Sequence, residues 1–247
     1  EEIDEKAQAR AINSGAIEKE SATDVDLIIL AIPINQIMNY LNTPLEGVKA
    51  KGLIDLGGTK KKICQLMGEY EVPSVGGRPL CGVADNSAFE DNINLYRNST
   101  FILSETKSTN EEVKELAIEM VKLIEANPVW LDFTTHDEVI AITSHIPHLI
   151  STALIGAVMK THDLEEIMEF TSGGFDGATR LSRTNPDMIW GMLETNGTPI
   201  GDFGEKFLEE FRNIFSMQEG IDLHQYIKNT VEWRRELANK FGERTLE

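Results

Sequence analysis

Two histidines stand three residues apart in the run Ser144-His-Ile-Pro-His148, with His136-Asp137 a short way before them. Imidazoles at this spacing can move protons, contact a substrate or ligate a metal. No third Cys, His or carboxylate stands at a recognisable zincin spacing. Substrate contact and a satisfied core histidine are therefore both preferred to zinc, and no metal is expected. Further on, Thr171-Ser-Gly-Gly-Phe-Asp-Gly-Ala-Thr-Arg180 reads as a glycine-rich turn leading to a guanidinium. Arg180 there is a natural donor pair for a carboxylate, its plainer reading being a solvated or salt-bridged surface residue.

Three further stretches could meet a ligand through backbone. They are Ala31-Ile-Pro33-Ile-Asn-Gln36, Asp55-Leu-Gly-Gly-Thr-Lys60 and Gly76-Gly-Arg-Pro-Leu-Cys-Gly82. Glycine pairs allow close approach of main-chain amides to a phosphate or a polarised carbonyl. Any one pair alone reads as a tight turn. Three at successive strand ends point to a shared cleft, because ligands of open parallel sheets bind beyond the carboxyl ends of the strands.

The elements that must position these residues follow from hydrophobic pattern. An Ala-rich helix over residues 1–17 stops at Asn13-Ser14-Gly15. Asp26-Leu-Ile-Ile-Leu-Ala-Ile-Pro33 is a continuous apolar run of the kind buried on both faces of a parallel sheet. Further strands are expected at Gly52-Leu-Ile-Asp-Leu56, Pro73-Ser-Val75, Asn98 to Ser104 and Pro128 to Phe133, with a helix holding Lys61, Ile63 and Leu66. Thr109 with Glu112 forms a capping box opening a helix through Ala126, whose face is Val113, Leu116, Ala117, Met120, Leu123 and Ile124. Alternation of strands and helices predicts a parallel sheet with helical crossovers. After His136 strand signals vanish. The chain therefore divides into an incomplete Rossmann-like α/β domain, residues 1–133, and an all-helical domain, residues 134–247. In the latter, Phe203, Phe207, Leu208, Phe211, Ile214 and Phe215 form a core-facing stripe after an Asp202 cap, and Asn185-Pro186 opens a helix reaching Trp190.

The 247 residues are enough for one large core or two smaller ones. A formal charge of −18 repels phosphate backbones and anionic lipid, which argues against nucleic-acid and membrane-surface partners. Two cysteines without paired spacing, Cys64 and Cys81, read as reduced thiols of a cytoplasmic protein. The apolar run from Leu27 to Ile34 is far shorter than the roughly 20 residues that span a bilayer, and no signal peptide is expected.

In their order along the chain, the motifs at Asp26–Pro33, Asp55–Lys60, Gly76–Gly82, His136-Asp137, Ser144–His148, Gly173–Arg180 and Pro186–Trp190 resemble those of the prephenate and arogenate dehydrogenases. The resemblance implies an oxidoreductase using NAD or NADP for oxidative decarboxylation of prephenate or arogenate in tyrosine biosynthesis. It also implies a homodimer built through the helical domain. Carried over by position, Ala31, Ile32 and Pro33 lie along the cofactor, with Gly57, Gly58 and Thr59 near the nicotinamide. Gly58, Ser144, His145, His148 and Arg180 line the substrate side, Arg180 grips a carboxylate, and Trp190 reaches into the partner subunit's site.

The sequence also departs from that family. Arg78 stands where a histidine of a Gly-Gly-His-Pro motif assists proton removal, and arginine cannot serve as a base. Gly58 replaces a serine, Ala84 a glutamate, and Phe175-Asp176-Gly177 the usual Phe-Arg-Asp. Arg78 could instead stabilise a developing alkoxide or hold an additional carboxylate, with His145 or His148 taking the proton. No Gly-x-Gly-x-x-Gly turn precedes Asp26, so the chain reads as a fragment or as a protein without that loop. The competing readings are a non-catalytic ligand-binding homologue and a dehydrogenase for a different acid.

Overall fold

The computed structural model describes residues 5–18, 22–81, 93–217 and 221–242. They fall into a sheet unit, Glu1–Cys81 with Ile93–His136, and a helical unit that includes Asp137–Glu247.

The sheet unit opens with helix α1 (Glu5–Asn13), ended by Gly15 at φ 73°, a left-handed turn that glycine enters without penalty. Strand β1 (Asp24–Leu30) is followed by α2 (Ile34–Leu41), β2 (Lys49–Asp55), α3 (Lys61–Gly68) and β3 (Ser74–Pro79). Next come β4 (Thr100–Glu105), α4 (Glu111–Leu123) and β5 (Asn127–Trp130). The strands lie side by side in chain order. β1, β2 and β3 are parallel, with Leu30 beside Asp55 and Asp55 beside Gly76.

β4 then runs antiparallel to β3, pairing Arg78 with Ile102, and β5 is parallel to β4. The expected all-parallel sheet is thus corrected at this one junction. Apolar runs carry no direction, and only the connection between two strands distinguishes the cases.

Alternate β2 residues feed two cores, because successive side chains point to opposite faces. Leu53 packs with Ile34, Ile37, Leu41, Ile63 and Met67 of α2 and α3. Ile54 packs with Val75, Phe101, Leu103 and with Val113, Ala117 and Val121 of α4. Helices therefore cover both faces. β1, expected to be buried on both faces, ends buried only at Leu30, and Ile29 is 46% exposed. Among the described residues no strand pairs with the outer side of β1.

Two details of α4 differ from expectation. Its cap is Asn110, whose side chain accepts from Val113 N at 2.9 Å. Thr109 instead accepts from Thr106 N at 2.7 Å and donates to the Ser74 carbonyl at 2.6 Å, part of a hydroxyl cluster tying β3 to β4. The buried face is Val113, Ala117 and Val121, while Leu123 is 76% exposed.

Helix α5 (Phe133–Ile140) leads into a π-helical turn, Ala141–His145, and then α6 (Ile146–Thr161). After α7 (Leu164–Glu169) and α8 (Gly173–Thr179), a 3-10 turn (Arg180–Arg183) precedes α9 (Pro186–Ser216) and α10 (Ile221–Phe241). Pro147 sits in the first turn of α6, where its missing N–H is tolerated. Asn185 caps α9 by accepting from Asp187 N at 2.8 Å. The segment Gly173–Thr179, expected as a glycine-rich turn, is helical.

Residues Ala141, Ile146 and Ile200 form the buried core of the helical unit, with Leu149, Leu193 and Phe203 packed against it. The stripe expected to face this core is instead largely open: Leu208, Phe211 and Phe215 are 43%, 50% and 54% exposed. Asp202 lies inside α9 and caps nothing; the break comes earlier, at Asn196 (φ −127°, ψ 25°). Pro199 cannot donate a hydrogen bond to the carbonyl of Thr195, which accounts for the break. The continuous helical stretch Phe133–Thr161 is long and apolar enough to cross a membrane by length and composition. The expectation drawn from Leu27–Ile34 did not include it. It holds buried His136, Asp137 and His145, while Val139, Ile142, Ile150 and Met159 on the same stretch are exposed.

Candidate functional site

In the sheet unit, the ends of β1, β2 and β3 emerge along one edge because the three strands are parallel. Two of the stretches singled out for backbone contact begin there, after β1 and β2; the third, expected to follow a strand closing at Val75, instead continues β3 as far as Pro79, with Gly76 beside Asp55. Ala31 and Pro33 are exposed and Ile32 is half-buried; Gly57 and Thr59 are buried, while Gly58 and Arg78 are half-buried. Gly82 and Ala84 lie outside the described residues.

The organising group of this edge is Asp55, fully buried at the last position of β2. Its carboxylate forms an ion pair with Lys60, equally buried, and accepts from Gly57 N at 2.8 Å and Gly77 N at 3.3 Å. One side chain thus fixes the turn after β2 and joins it to β3. Burial without water requires this saturation, since an ion pair stripped of solvent survives only with its remaining polar positions filled. Sequence inspection gave Asp55 and Lys60 no role. The signal was available: an acid closing an apolar strand, a glycine pair, then a lysine.

The glycines of β3 are required by space. A Cβ on Gly77 would meet the Asp55 carbonyl oxygen at 2.7 Å, and one on Gly76 would meet Cys64 Sγ at 2.5 Å. A Cβ on Gly58 would lie 2.7 Å from Nη1 of Arg78. The guanidinium therefore reaches the glycine that stands where the resemblance places a serine, and two of the departures noted in the sequence occupy one place. Nearby, burial pushes the Cys81 thiol up, against a Ser99 hydrogen bond and the charge of Arg78, both of which pull it down. Neither Cys64 nor Cys81 forms a disulfide.

In the helical unit, Ser144, His145 and His148 sit across the junction of the π-helical turn and α6. His148 is 8% exposed and its Nδ1 lies 2.8 Å from the Ser144 carbonyl oxygen. His145 is 1% exposed; its Nδ1 lies 3.2 Å from Nδ2 of Asn196, which donates to the Asp137 carbonyl at 2.8 Å. Asn196 reaches both because it occupies the break in α9. This asparagine was not singled out in the sequence, although a proline three residues later marks a helix irregularity there.

Half-buried Arg180 opens the 3-10 turn, which is pinned to α6 where Ser182 N donates to Ser151 Oγ at 3.0 Å. Trp190 is 67% exposed near the start of α9. Among the described residues no group of three or more His, Cys, Asp or Glu is arranged to hold a metal. Two shallow depressions, beside Asp202–Arg212 on α9 and beside Glu115–Leu123 on α4, include none of these residues.

Residues 1–129 match the family profile described as prephenate dehydrogenase, nucleotide-binding domain, and residues 132–233 match its dimerization domain. A prephenate dehydrogenase of Lactococcus lactis subsp. cremoris is 29% identical over 79% of this chain and 56% of its own length. One from Bacillus subtilis is 27% identical over 87% of this chain and 60% of its own. The chain thus spans a little over half the length of these curated relatives. Among solved structures, the Aquifex aeolicus prephenate dehydrogenase in complex with hydroxyphenyl propionate and NAD+ superposes with a TM-score of 0.82 at 22% identity, covering 96% of this chain and 87% of that one. That likeness establishes a Rossmann-like sheet domain followed by a helical domain. With profiles of both domains matched in order along almost its whole length, the chain belongs to the prephenate dehydrogenase family.

Proposed function

We propose that this chain serves an NAD- or NADP-dependent oxidative decarboxylation of prephenate or arogenate, the aromatising step of tyrosine biosynthesis, acting as a cytoplasmic homodimer. The observation that carries this reading is the match of both family domains, in order, to a chain whose β1–β3 ends share one glycine-lined edge.

A nicotinamide cofactor, when bound, supplies the hydride acceptor. The fit of this chain to it is local. Gly57, buried, and Gly58, half-buried beside the Arg78 guanidinium, form the turn at the end of β2 near the exposed Ala31 and Pro33, with Ile32 and Thr59 packing the same edge. Asp55 and Lys60 hold that edge rigid, so the reacting carbon and the ring can be oriented without reorganisation. Arg78 presents a permanent positive charge there, suited to an alkoxide or carboxylate oxygen. In the helical unit, Arg180 supplies a bidentate donor for a carboxylate, Ser144 a hydroxyl, and an imidazole of His145 or His148 the proton acceptor that Arg78 cannot be. Trp190, exposed on α9, completes the partner's site across a dimer formed through the apolar faces of α9 and α10.

A second reading, a ligand-binding homologue without turnover, is favoured by one observation: the position of the family's assisting histidine is arginine. A single assay decides. Nicotinamide reduction is measured with prephenate and with arogenate, with each cofactor, in the wild-type protein and in Arg180→Ala and His148→Ala. Turnover that falls at least a hundredfold in both variants supports the enzyme. Binding of prephenate without reduction in the folded wild-type protein overturns it in favour of the second reading.

A further inference from the structure

The two histidines of the helical unit have hydrogen-bond partners that differ in kind, and the difference fixes where each carries its proton. A backbone carbonyl can only accept. The Asn196 atom 2.8 Å from the Asp137 carbonyl is therefore the amide nitrogen, which settles the orientation of that side chain. Its second hydrogen faces Nδ1 of His145 at 3.2 Å. Nδ1 must accept, so it carries no proton, and the neutral ring holds its proton on Nε2. For His148 the logic reverses. Its Nδ1 lies 2.8 Å from the Ser144 carbonyl oxygen, so Nδ1 must donate and Nε2 is left with its lone pair.

We infer that the helical unit holds His145 and His148 in opposite tautomers, His145 as an Nε2–H donor and His148 as an Nε2 acceptor, and that Asn196 is the positioning residue that imposes the first. The break in α9 at Asn196 and the π-helical turn carrying Ser144 and His145 serve this arrangement, placing one amide between the Asp137 carbonyl and the ring. Resting on the oxidoreductase reading, the assignment goes one step further: of the two imidazoles only His148 can take a substrate proton at Nε2. A proton gained by His145 would have to enter at Nδ1, where an N–H already points at it.

The test reads tautomers directly. In protein labelled with ¹⁵N in its imidazoles and held at mildly alkaline pH, two-bond ¹H–¹⁵N correlations separate the protonated from the bare ring nitrogen. Signals are assigned through single His→Gln variants. The expected spectrum shows the protonated-type resonance at Nε2 for His145 and at Nδ1 for His148. Asn196→Asp replaces a donor by an acceptor, and is expected to move the His145 proton to Nδ1 while leaving the His148 pattern in place. If the two rings share one tautomer in the wild-type protein, or if His145 carries its proton on Nδ1, the inference is overturned whether or not the protein turns over prephenate. Both tautomers as stated, together with no turnover, would uphold the inference and count against the functional reading instead.

Discussion

The two units enclose polar groups in opposite ways. The sheet unit buries a full ion pair, Asp55 with Lys60, at the edge where β1 and β2 end and flanks it with two continuous apolar layers. The helical unit buries imidazoles at a π-helical turn and the start of α6, keeps a small core, and leaves its largest aromatic residues outside. Phe211 packs edge-on against Phe215 at 5.0 Å, yet both remain half exposed, and Trp233 and Phe241 on α10 are 71% and 68% exposed. The Tyr226 hydroxyl of α10 meets the Glu210 carboxylate of α9 and holds it below the usual carboxylate range. Exposed apolar residues gathered on two helices are the composition of surfaces at which proteins associate. The contrast teaches that the first unit covers its apolar side chains from within, while the second leaves a run of them open on α9 and α10.

The strongest way to break this comparison is Lys60→Met. Leaving Asp55 buried without its counter-ion is expected to cost about 3–5 kcal/mol in urea unfolding, with most of it recovered in Asp55→Leu/Lys60→Met. A loss below about 1 kcal/mol would mean the pair is not the keystone of the edge. Next, Phe211→Ser or Trp233→Ser should weaken self-association by about 2 kcal/mol, roughly thirtyfold in Kd, by sedimentation equilibrium. A wild-type protein that stays monomeric at all concentrations would remove the contrast. Gly76→Ala drives a methyl into Cys64 and should destabilise the sheet unit by about 1–3 kcal/mol. Asn110→Ala and Asn185→Ala delete one helix cap in each unit and should each cost about 1 kcal/mol, which thermal melts would resolve. Unequal losses would show one unit melting before the other. Leu123→Ser, at a position exposed in this structure, should change stability by less than about 0.5 kcal/mol.

Much of the sheet unit was legible in the sequence because its signals are local. Continuous apolar runs gave β1, β2 and β4, and glycine gave the end of α1. Strand direction was not legible. The reversal at β4 depends on the end from which the chain enters the strand, and nothing in Thr100–Glu105 encodes that. Helix α2 went unread, since eight residues beginning just after Pro33 are too few for a periodic pattern. In the helical unit the stripe on α9 was legible as apolar but not as exposed, because amphipathic spacing reports a face and not what covers it. The site followed the same rule. Residues carrying distinctive chemistry, such as His148, Arg78 and Arg180, stood out. Asp55, Lys60 and Asn196 did not, because their importance lies in partners brought from 5, 22, 51 and 59 residues away along the chain.

The closeness of Gly58 to Arg78 carries a further consequence. At Gly77 an added methyl strikes backbone, and at Gly76 it strikes a buried sulfur, so both positions are closed to change. At Gly58 it strikes only the tip of a long side chain that can swing aside. A single substitution there would displace a positive charge while leaving the scaffold nearly untouched, so the electrostatics of this edge can change without first weakening the fold.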